Sequence, residues 1–182
     1  MKIGQRWVDA IERSDSIEEW VPFVVEIACG SRMKYALDKR SGQLLLHRAM
    51  ADGVSYPTNY GFIPRTFNKA DAMELDLLTI SSEPLLPLTI AHVRIVGGCT
   101  LESSDESRPE DKILGALIGD PDLASVQDLR DVDTALRARI EQFFETYKKD
   151  EGVDVKVSAW FDREAGLAKV KHALKAGKKN RK

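Results

Sequence analysis

The sequence is poor in cysteine, in aromatic residues and in long apolar runs, and each shortage argues against a class of protein. Cys29 and Cys99 are its two cysteines, and neither stands in a C-x-x-C or metal-finger spacing. Aromatic residues make up 7% of the chain, the formal net charge is -2, and no basic stripe with interleaved aromatics predicts nucleic-acid binding. No run approaches the length of a membrane span, and the first twenty residues lack the apolar core of a signal peptide. We therefore expect a protein of the reduced cytoplasm, with no membrane and no nucleic acid among its partners.

The length of 182 residues predicts a single domain over residues 1–182, with 43% hydrophobic and 31% charged residues as in ordinary globular proteins. Residues 1–20 are predicted to be a helical extension. Trp7 stands at helical spacing from Ile11, and an acidic pair three residues apart follows in a capping-box-like pattern. Residues 175–182 form a basic tail that we expect to be a solvated end or a weak contact for an anion.

The middle of the chain consists of short apolar runs separated by turn residues, which predicts strands. Ser41 and Gly42 suit a hairpin turn that needs a residue with positive φ. No helical pattern lies between these runs, and parallel strands need crossover connections, so a closed or partly open antiparallel barrel is predicted. The runs are residues 23–28, 33–38, 43–50, 61–67, 75–80 and 91–101.

Helical periodicity returns late in the chain. Residues 131–149 carry apolar side chains every three or four positions, with Asp131 and Asp133 available at the start. A second helix is predicted to begin after Asp162 and to end near Gly177. The predicted fold class is therefore mainly β with flanking α-helices, an α+β barrel packed with terminal helices.

Polar residues within the apolar runs are the first candidates for a functional site. Tyr56 and Tyr60 lie beside a turn, where they either pack as half-buried anchors or bind phosphate oxygens through their hydroxyl groups. Glu26, Lys34 and Arg48 stand inside apolar strands, where a charge is costly unless it faces a cleft or meets a partner. These three residues either form a polar pocket or line an exposed face of the barrel.

Several longer motifs occur in one order between residues 22 and 150. They are GSxxKYxLD, SGxLxLxR, YPxNYGFIPxT, D-x-x-x-x-D-x-L, EDKI and FFExYK, and together they resemble the soluble family I inorganic pyrophosphatases. The resemblance implies an OB-like barrel of five strands packed with helices, and magnesium-dependent hydrolysis of pyrophosphate or a related phosphoanhydride. It also implies a homo-oligomer.

The resemblance assigns residues to three kinds of role in this chemistry. Arginine, lysine and tyrosine suit a highly charged phosphate anion, while carboxylates suit Mg²⁺. The implied substrate-binding residues are Lys34, Arg48, Tyr60, Lys112, Tyr147 and Lys148, and Tyr60, Lys34 and Arg48 are the candidates for catalytic residues. The implied metal ligands are Asp71, Asp76 and Glu110, and the supporting residues are Glu26 and Tyr56.

The chain departs from the family pattern at acidic positions. Residues 71–76 read DAMELD where the family reads D-G-D-P-x-D, so Met73 replaces the aspartate presumed to be the general base. A thioether neither accepts a proton at neutral pH nor binds Mg²⁺ well. Ser103 replaces a metal-binding aspartate, and Ala36 and His47 replace two further acidic residues.

These losses leave two hypotheses open. The protein hydrolyses pyrophosphate at a reduced or altered rate, or it is a catalytically degenerate relative that binds a phosphorylated ligand or a partner without turnover. The phosphate-binding cations remain in both cases, whereas the water-activating and metal-binding side is depleted. Replacement of a missing ligand by a nearby carboxylate would favour the first hypothesis. The candidates for that replacement are Glu74, Asp105 and Asp111.

Overall fold

A closed ring of five strands forms the centre of the structure, a computed structural model that describes residues 10–12, 14–68 and 72–180. The ring order is β1-β4-β5-β7-β6, and β1 pairs with β6 to close it. An eighth strand extends the sheet beside β6, and β2 and β3 form a separate hairpin. The strands are β1 Val21–Ile27, β2 Met33–Asp38, β3 Gln43–Ala49, β4 Asn59–Ile63, β5 Leu75–Ile80, β6 Ile90–Ser103, β7 Glu110–Leu117 and β8 Val155–Phe161.

The mainly β, OB-like barrel is confirmed, but the antiparallel pattern predicted for it is wrong at one pair. β5 and β7 run parallel, with Leu77 opposite Ile113. The long strand β6 lies between them in the chain and pairs with β7 rather than with β5. The chain therefore reverses direction twice, from β5 to β6 and again from β6 to β7, so that β7 runs parallel to β5 without a crossover helix.

The hairpin turn and the beginnings of both late helices follow the sequence closely. Gly42 has φ +75° and its N–H donates to the Asp38 carbonyl oxygen at 2.8 Å. Helix α1 spans Thr134–Thr146, and the Asp133 carboxylate accepts the Ala135 N–H at 2.8 Å as the N-cap. Helix α2 spans Arg163–Asn180, and Asp162 caps it through the Ala165 N–H at 2.9 Å.

Helix α2 does not end near Gly177 as predicted. A β-carbon at this position would lie 2.1 Å from the Arg65 carbonyl oxygen, so the glycine allows the helix to pack against the chain after β4. The helix continues to Asn180 and includes most of the basic tail. Glycine thus serves close packing here rather than helix termination.

The predicted helical extension falls largely on residues 1–9 and 13, which lie outside the described residues. The described part from residue 14 to the start of β1 forms a turn, not a helix, in which the Glu19 N–H donates to the Ser16 carbonyl oxygen at 3.1 Å. Ser16, rather than Asp15, caps this turn through the Glu18 N–H at 3.3 Å. Within the described ranges, no helix is long and apolar enough to cross a membrane.

The core fills the ring and the spaces beneath both helices. Phe143, Phe144 and Ile140 of α1 pack on one side, against Leu78 of β5. Val170 of α2 packs on the other side, among apolar residues of β1, β5 and β6. Both thiols are free: Cys99 is buried, which raises its pKa to about 12, and Cys29 is half-buried. The two helices leave one mouth of the ring open, between β2 and the end of α1.

Candidate functional site

A cleft of about 260 Å³ opens at this mouth of the barrel. Residues of β1, β2, β4, β5 and β7 line it, together with the C-terminal end of α1. Most residues that the sequence singled out come together here, although they are far apart in the chain. Those lining the cleft are Glu26, Lys34, Tyr56, Tyr60, Asp76, Glu110, Lys112, Tyr147 and Lys148.

Lys112 is the centre of a buried charged network in the cleft. Its ammonium group contacts the carboxylates of Asp76 and Glu110, and its side chain is only 5% exposed. The Tyr60 hydroxyl donates to Asp76 Oδ2 at 2.6 Å and lies 3.3 Å from Lys112 Nζ. Burial alone would lower the pKa of Lys112, but the two carboxylates outweigh it and raise this pKa. Lys112 is therefore charged at neutral pH.

Strands β4, β5 and β7 bring this network together, because alternate residues of a strand point to the same face of the sheet. Glu110 and Lys112 lie two residues apart on β7 and so share a face, and Asp76 reaches the same face from the neighbouring strand β5. The third residue predicted to bind metal, Asp71, lies outside the described residues. In residues 10–12, 14–68 and 72–180, no three His, Cys, Asp or Glu side chains form a group that could hold a metal ion by themselves.

Arg48 lies beside the cleft and does not line it, unlike the other predicted cations. Its guanidinium donates to the Tyr147 carbonyl oxygen at 2.6 Å and pairs with Glu151 at 2.6 Å and Asp150 at 3.1 Å. Because its backbone pairs with that of Lys34 across the hairpin, it remains next to the cleft. The acidic residues after α1 hold its side chain toward the end of that helix.

Lys148 links the cleft to the loop between β6 and β7. Its ammonium group lies 3.0 Å from Asp105 and 3.7 Å from Glu106, and the Ser103 hydroxyl also bonds to Asp105. Glu106 lines the cleft, which sequence reasoning missed. It lies among several acidic and serine residues of this loop, and no periodicity distinguishes it from them.

None of the three carboxylates considered as replacement ligands is among the residues that line the cleft. Glu74 is buried and pairs with Lys39. Asp111 lies on the opposite face of β7 from Lys112, where it pairs with Lys169 at 2.7 Å. Asp105, the third, contacts Lys148 at the edge. Replacement by Glu74 or Asp111 is therefore not supported by their positions.

Lys34 is the cleft cation whose charge is least compensated. It is half-buried and forms no ion pair with any described residue, whereas Lys112 and Lys148 each contact two carboxylates. Burial, together with the charges of Arg48 and Lys148, lowers the pKa of its ammonium group. An anion entering the cleft would relieve this repulsion.

The two positions where carboxylates were expected near the cleft are apolar. Ala36 and Met73 both line it, and Met73 is 51% exposed. Ala36 lies two residues from Lys34 on β2, so the two share a face of that strand. His47 is exposed on β3 and is not among the cleft-lining residues.

Glu26 is a buried carboxyl group on the wall of the cleft. It is 9% exposed, and its Oε1 accepts the Leu37 N–H at 2.7 Å. Burial raises its pKa from 4.5 to about 7. Between pH 4.5 and about pH 7, Glu26 therefore keeps its proton in the folded protein but loses it in the unfolded chain. The stability that this group contributes is complete below about pH 4.5 and is lost as the pH rises toward 7.

We expect Glu26→Gln to remove this pH dependence. The free energy of unfolding of the variant, minus that of the parent, should increase by about 3 kcal/mol between pH 4.5 and pH 7, since one pKa unit corresponds to about 1.4 kcal/mol. Urea denaturation at several pH values measures this difference. The control is Glu102→Gln, which removes a carboxylate from an exposed ion pair with Lys156. A difference that does not change with pH would contradict the raised pKa.

Comparisons with known proteins find one consistent family. A family model described as inorganic pyrophosphatase matches residues 23–178. The inorganic pyrophosphatase of Thermus thermophilus is 39% identical over 163 residues, which cover 88% of this chain and 91% of that protein. Soluble inorganic pyrophosphatase 1 of Arabidopsis thaliana is 34% identical over 151 residues, covering 83% and 70%. The crystal structure of the Thermus thermophilus protein aligns with a TM-score of 0.86 at 36% identity, over 92% of this chain and 97% of that one.

Proposed function

Because this chain belongs to the inorganic pyrophosphatase family, we propose that it hydrolyses inorganic pyrophosphate to two phosphate ions. The protein is then a phosphoanhydride hydrolase. The main observation behind the proposal is the family match over residues 23–178. The cleft at the barrel mouth supports it, because lysine and tyrosine side chains converge there. Such side chains supply the hydrogen-bond donors that a small, highly charged anion needs.

We assign substrate binding to the cations and hydroxyl groups at the cleft. Lys34 offers an ammonium group without an ion pair in the described part of the chain, so it can bind a phosphate oxygen without breaking an existing contact. Lys148 and Arg48 would exchange their carboxylate partners for the substrate. Tyr147 adds an aromatic wall and a hydroxyl group, while Tyr56 packs against Phe143 and supports the site from below.

Tyr60 is proposed to act as a neutral hydrogen-bond donor. Burial and the nearby Asp76 carboxylate raise the pKa of its hydroxyl well above 10, so the proton stays on the phenol. Its position between Asp76 and Lys112 fixes the direction of that hydroxyl. In this assignment Tyr60 and Lys112 hold Asp76 in place within the site.

A divalent metal is expected for the family, and the carboxylates of the cleft fit Mg²⁺. Asp76 and Glu110 supply hard oxygen donors, and Mg²⁺ is commonly held by one or two carboxylates together with water and substrate phosphates. Asp71 is the third ligand we propose. When bound, the metal would lower the pKa of a water molecule and neutralise charge on the phosphates. Use of Mg²⁺, a cytoplasmic location and a homo-oligomeric state belong to the same proposal.

The rate is proposed to be altered by the missing acidic residues. Met73 faces the cleft where a general base is expected, and general-base assistance contributes about a hundredfold to ten-thousandfold. Phosphate release from pyrophosphate, measured with and without Mg²⁺, tests the proposal. Binding of pyrophosphate without phosphate release would instead favour the catalytically degenerate relative.

Lys34→Met is expected to raise KM for pyrophosphate by at least about tenfold, because a charge-assisted hydrogen bond contributes about 1.5–3 kcal/mol. The stability of the protein should change little, since Lys34 has no ion pair to lose among the described residues. Initial rates at several pyrophosphate concentrations provide the KM. Lys156→Met, which removes an exposed lysine paired with Glu102, is the matched control. An unchanged KM in the Lys34 variant would exclude Lys34 from substrate binding.

A further inference from the structure

Two of the residues that line the cleft are apolar where the family pattern has carboxylates. Ala36 on β2 and Met73 in the segment before β5 both line it, and Met73 exposes about half of its side chain. A carboxylate at either position would bind a cation and repel an apolar group. Methionine does the opposite, because its flexible, polarizable thioether packs against apolar and aromatic surfaces of many shapes.

The lysines that line the cleft differ in whether a carboxylate neutralises their charge. Lys112 and Lys148 contact carboxylates, whereas Lys34 has no such partner in the described ranges. Lys34 and Ala36 share one face of β2. A cation without an ion pair among these described residues therefore shares the cleft with two apolar side chains, and this combination suits a ligand with one anionic end and one apolar end.

We infer that the cleft also takes an organic diphosphate, in which one terminal oxygen of the diphosphate is esterified with an apolar group, and hydrolyses its phosphoanhydride bond. This inference rests on the proposed function, because it uses the same cleft and the same bond cleavage. The unesterified phosphate lies at Lys34 and Lys148, and the apolar group lies against Ala36 and Met73.

The reaction is balanced without any further reactant. The oxygen of water forms a bond to the unesterified phosphorus, and the bond from that phosphorus to the bridging oxygen breaks. The bridging oxygen leaves with the electron pair as part of an organic monophosphate, and the other product is orthophosphate. The two protons of the water pass to the phosphate products or to solvent.

Charge balance favours the same substrate class. An esterified diphosphate has one ionisable oxygen fewer than pyrophosphate, so it needs less neutralisation by metal ions. The chain lacks carboxylates at Met73 and Ser103, and fewer carboxylates hold fewer divalent cations. The missing carboxylates and the apolar side chains in the cleft therefore both favour an esterified diphosphate over pyrophosphate.

Phenyl diphosphate is the probe for this inference. The parent protein should convert it to phenyl phosphate and orthophosphate, which chromatography separates. Met73→Asp should lower the ratio of kcat/KM for phenyl diphosphate to kcat/KM for pyrophosphate at least about tenfold, the range that a lost apolar contact in a pocket provides. Met33→Asp is the matched control, since Met33 is a methionine 40% exposed on the β2–β3 hairpin and does not line the cleft. It should leave both values unchanged.

The outcomes separate the inference from the proposed function. Hydrolysis of pyrophosphate without hydrolysis of phenyl diphosphate would overturn the inference alone. An equal decrease for both substrates in Met73→Asp would also overturn it, because the effect would not concern the apolar group. Hydrolysis of phenyl diphosphate alone would support the inference and overturn pyrophosphate as the substrate. Failure to hydrolyse either compound would overturn both.

Discussion

Lys112→Met is expected to lower the free energy of unfolding by about 3–5 kcal/mol, because it removes the cation shared by the half-buried carboxylate of Asp76 and the buried carboxylate of Glu110. Methionine matches the length of the lysine side chain, so the loss is one of charge rather than of volume. The same variant should hydrolyse pyrophosphate at least about a hundredfold more slowly, because Asp76 and Tyr60 lose the group that fixes them.

Urea denaturation and phosphate release, both at a temperature where parent and variant are folded, measure the two effects separately. Lys156→Met is the control for stability, since Lys156 and Glu102 form an exposed pair expected to contribute about 0–1 kcal/mol. Adding Asp76→Asn to Lys112→Met removes one of the two carboxylates that Lys112 contacts in the parent. The double variant should therefore be less destabilised than the sum of its single variants. A fully additive result would show that the network does not act as a unit.

The regular elements with strong local signals were predictable from sequence. Helix α1 has apolar residues at helical spacing and Asp133 as a cap, and both features depend on neighbouring residues only. The turn at Gly42 likewise needs a positive φ that glycine adopts readily. The YPxNYGFIP and FFExYK strings placed Tyr60 and Lys148 in one site, because family resemblance carries tertiary information that periodicity lacks.

Features that depend on distant parts of the chain were not predictable. The runs 110–117 and 155–161 were not identified as strands, and β7 is buried over most of its length, so its sequence does not alternate. In the sequence, Gly177 predicts a helix end. The close contact that requires this glycine is with the Arg65 carbonyl oxygen, more than a hundred positions away, and it leaves no local signal. The partners of Arg48 arise in the same way, from a turn after α1 that meets the hairpin.

Restoring two aspartates should increase pyrophosphate hydrolysis. We expect the double variant Met73→Asp, Ser103→Asp to be at least about tenfold faster than the parent in the presence of Mg²⁺, a conservative part of what a general base supplies. An aspartate at position 73 would face the cleft occupied by Asp76, where it can orient water and accept its proton. An aspartate at position 103 would add a hard ligand at the end of β6.

The gain should be cooperative, because the base and the metal act on the same water molecule. At position 103 the new carboxylate also replaces the hydroxyl that bonds to Asp105, so like charges would drive Asp105 away and leave room for a cation. Phosphate release from the parent, both single variants and the double variant is compared at matched Mg²⁺, with Met33→Asp as the control for an added surface carboxylate. Calorimetry should show weak Mg²⁺ binding by the parent and tighter binding by the double variant. A parent that already turns over at an ordinary enzyme rate, and that is slowed by Met73→Asp, would mean that residues 71–76 work through different ligands and have not lost their base.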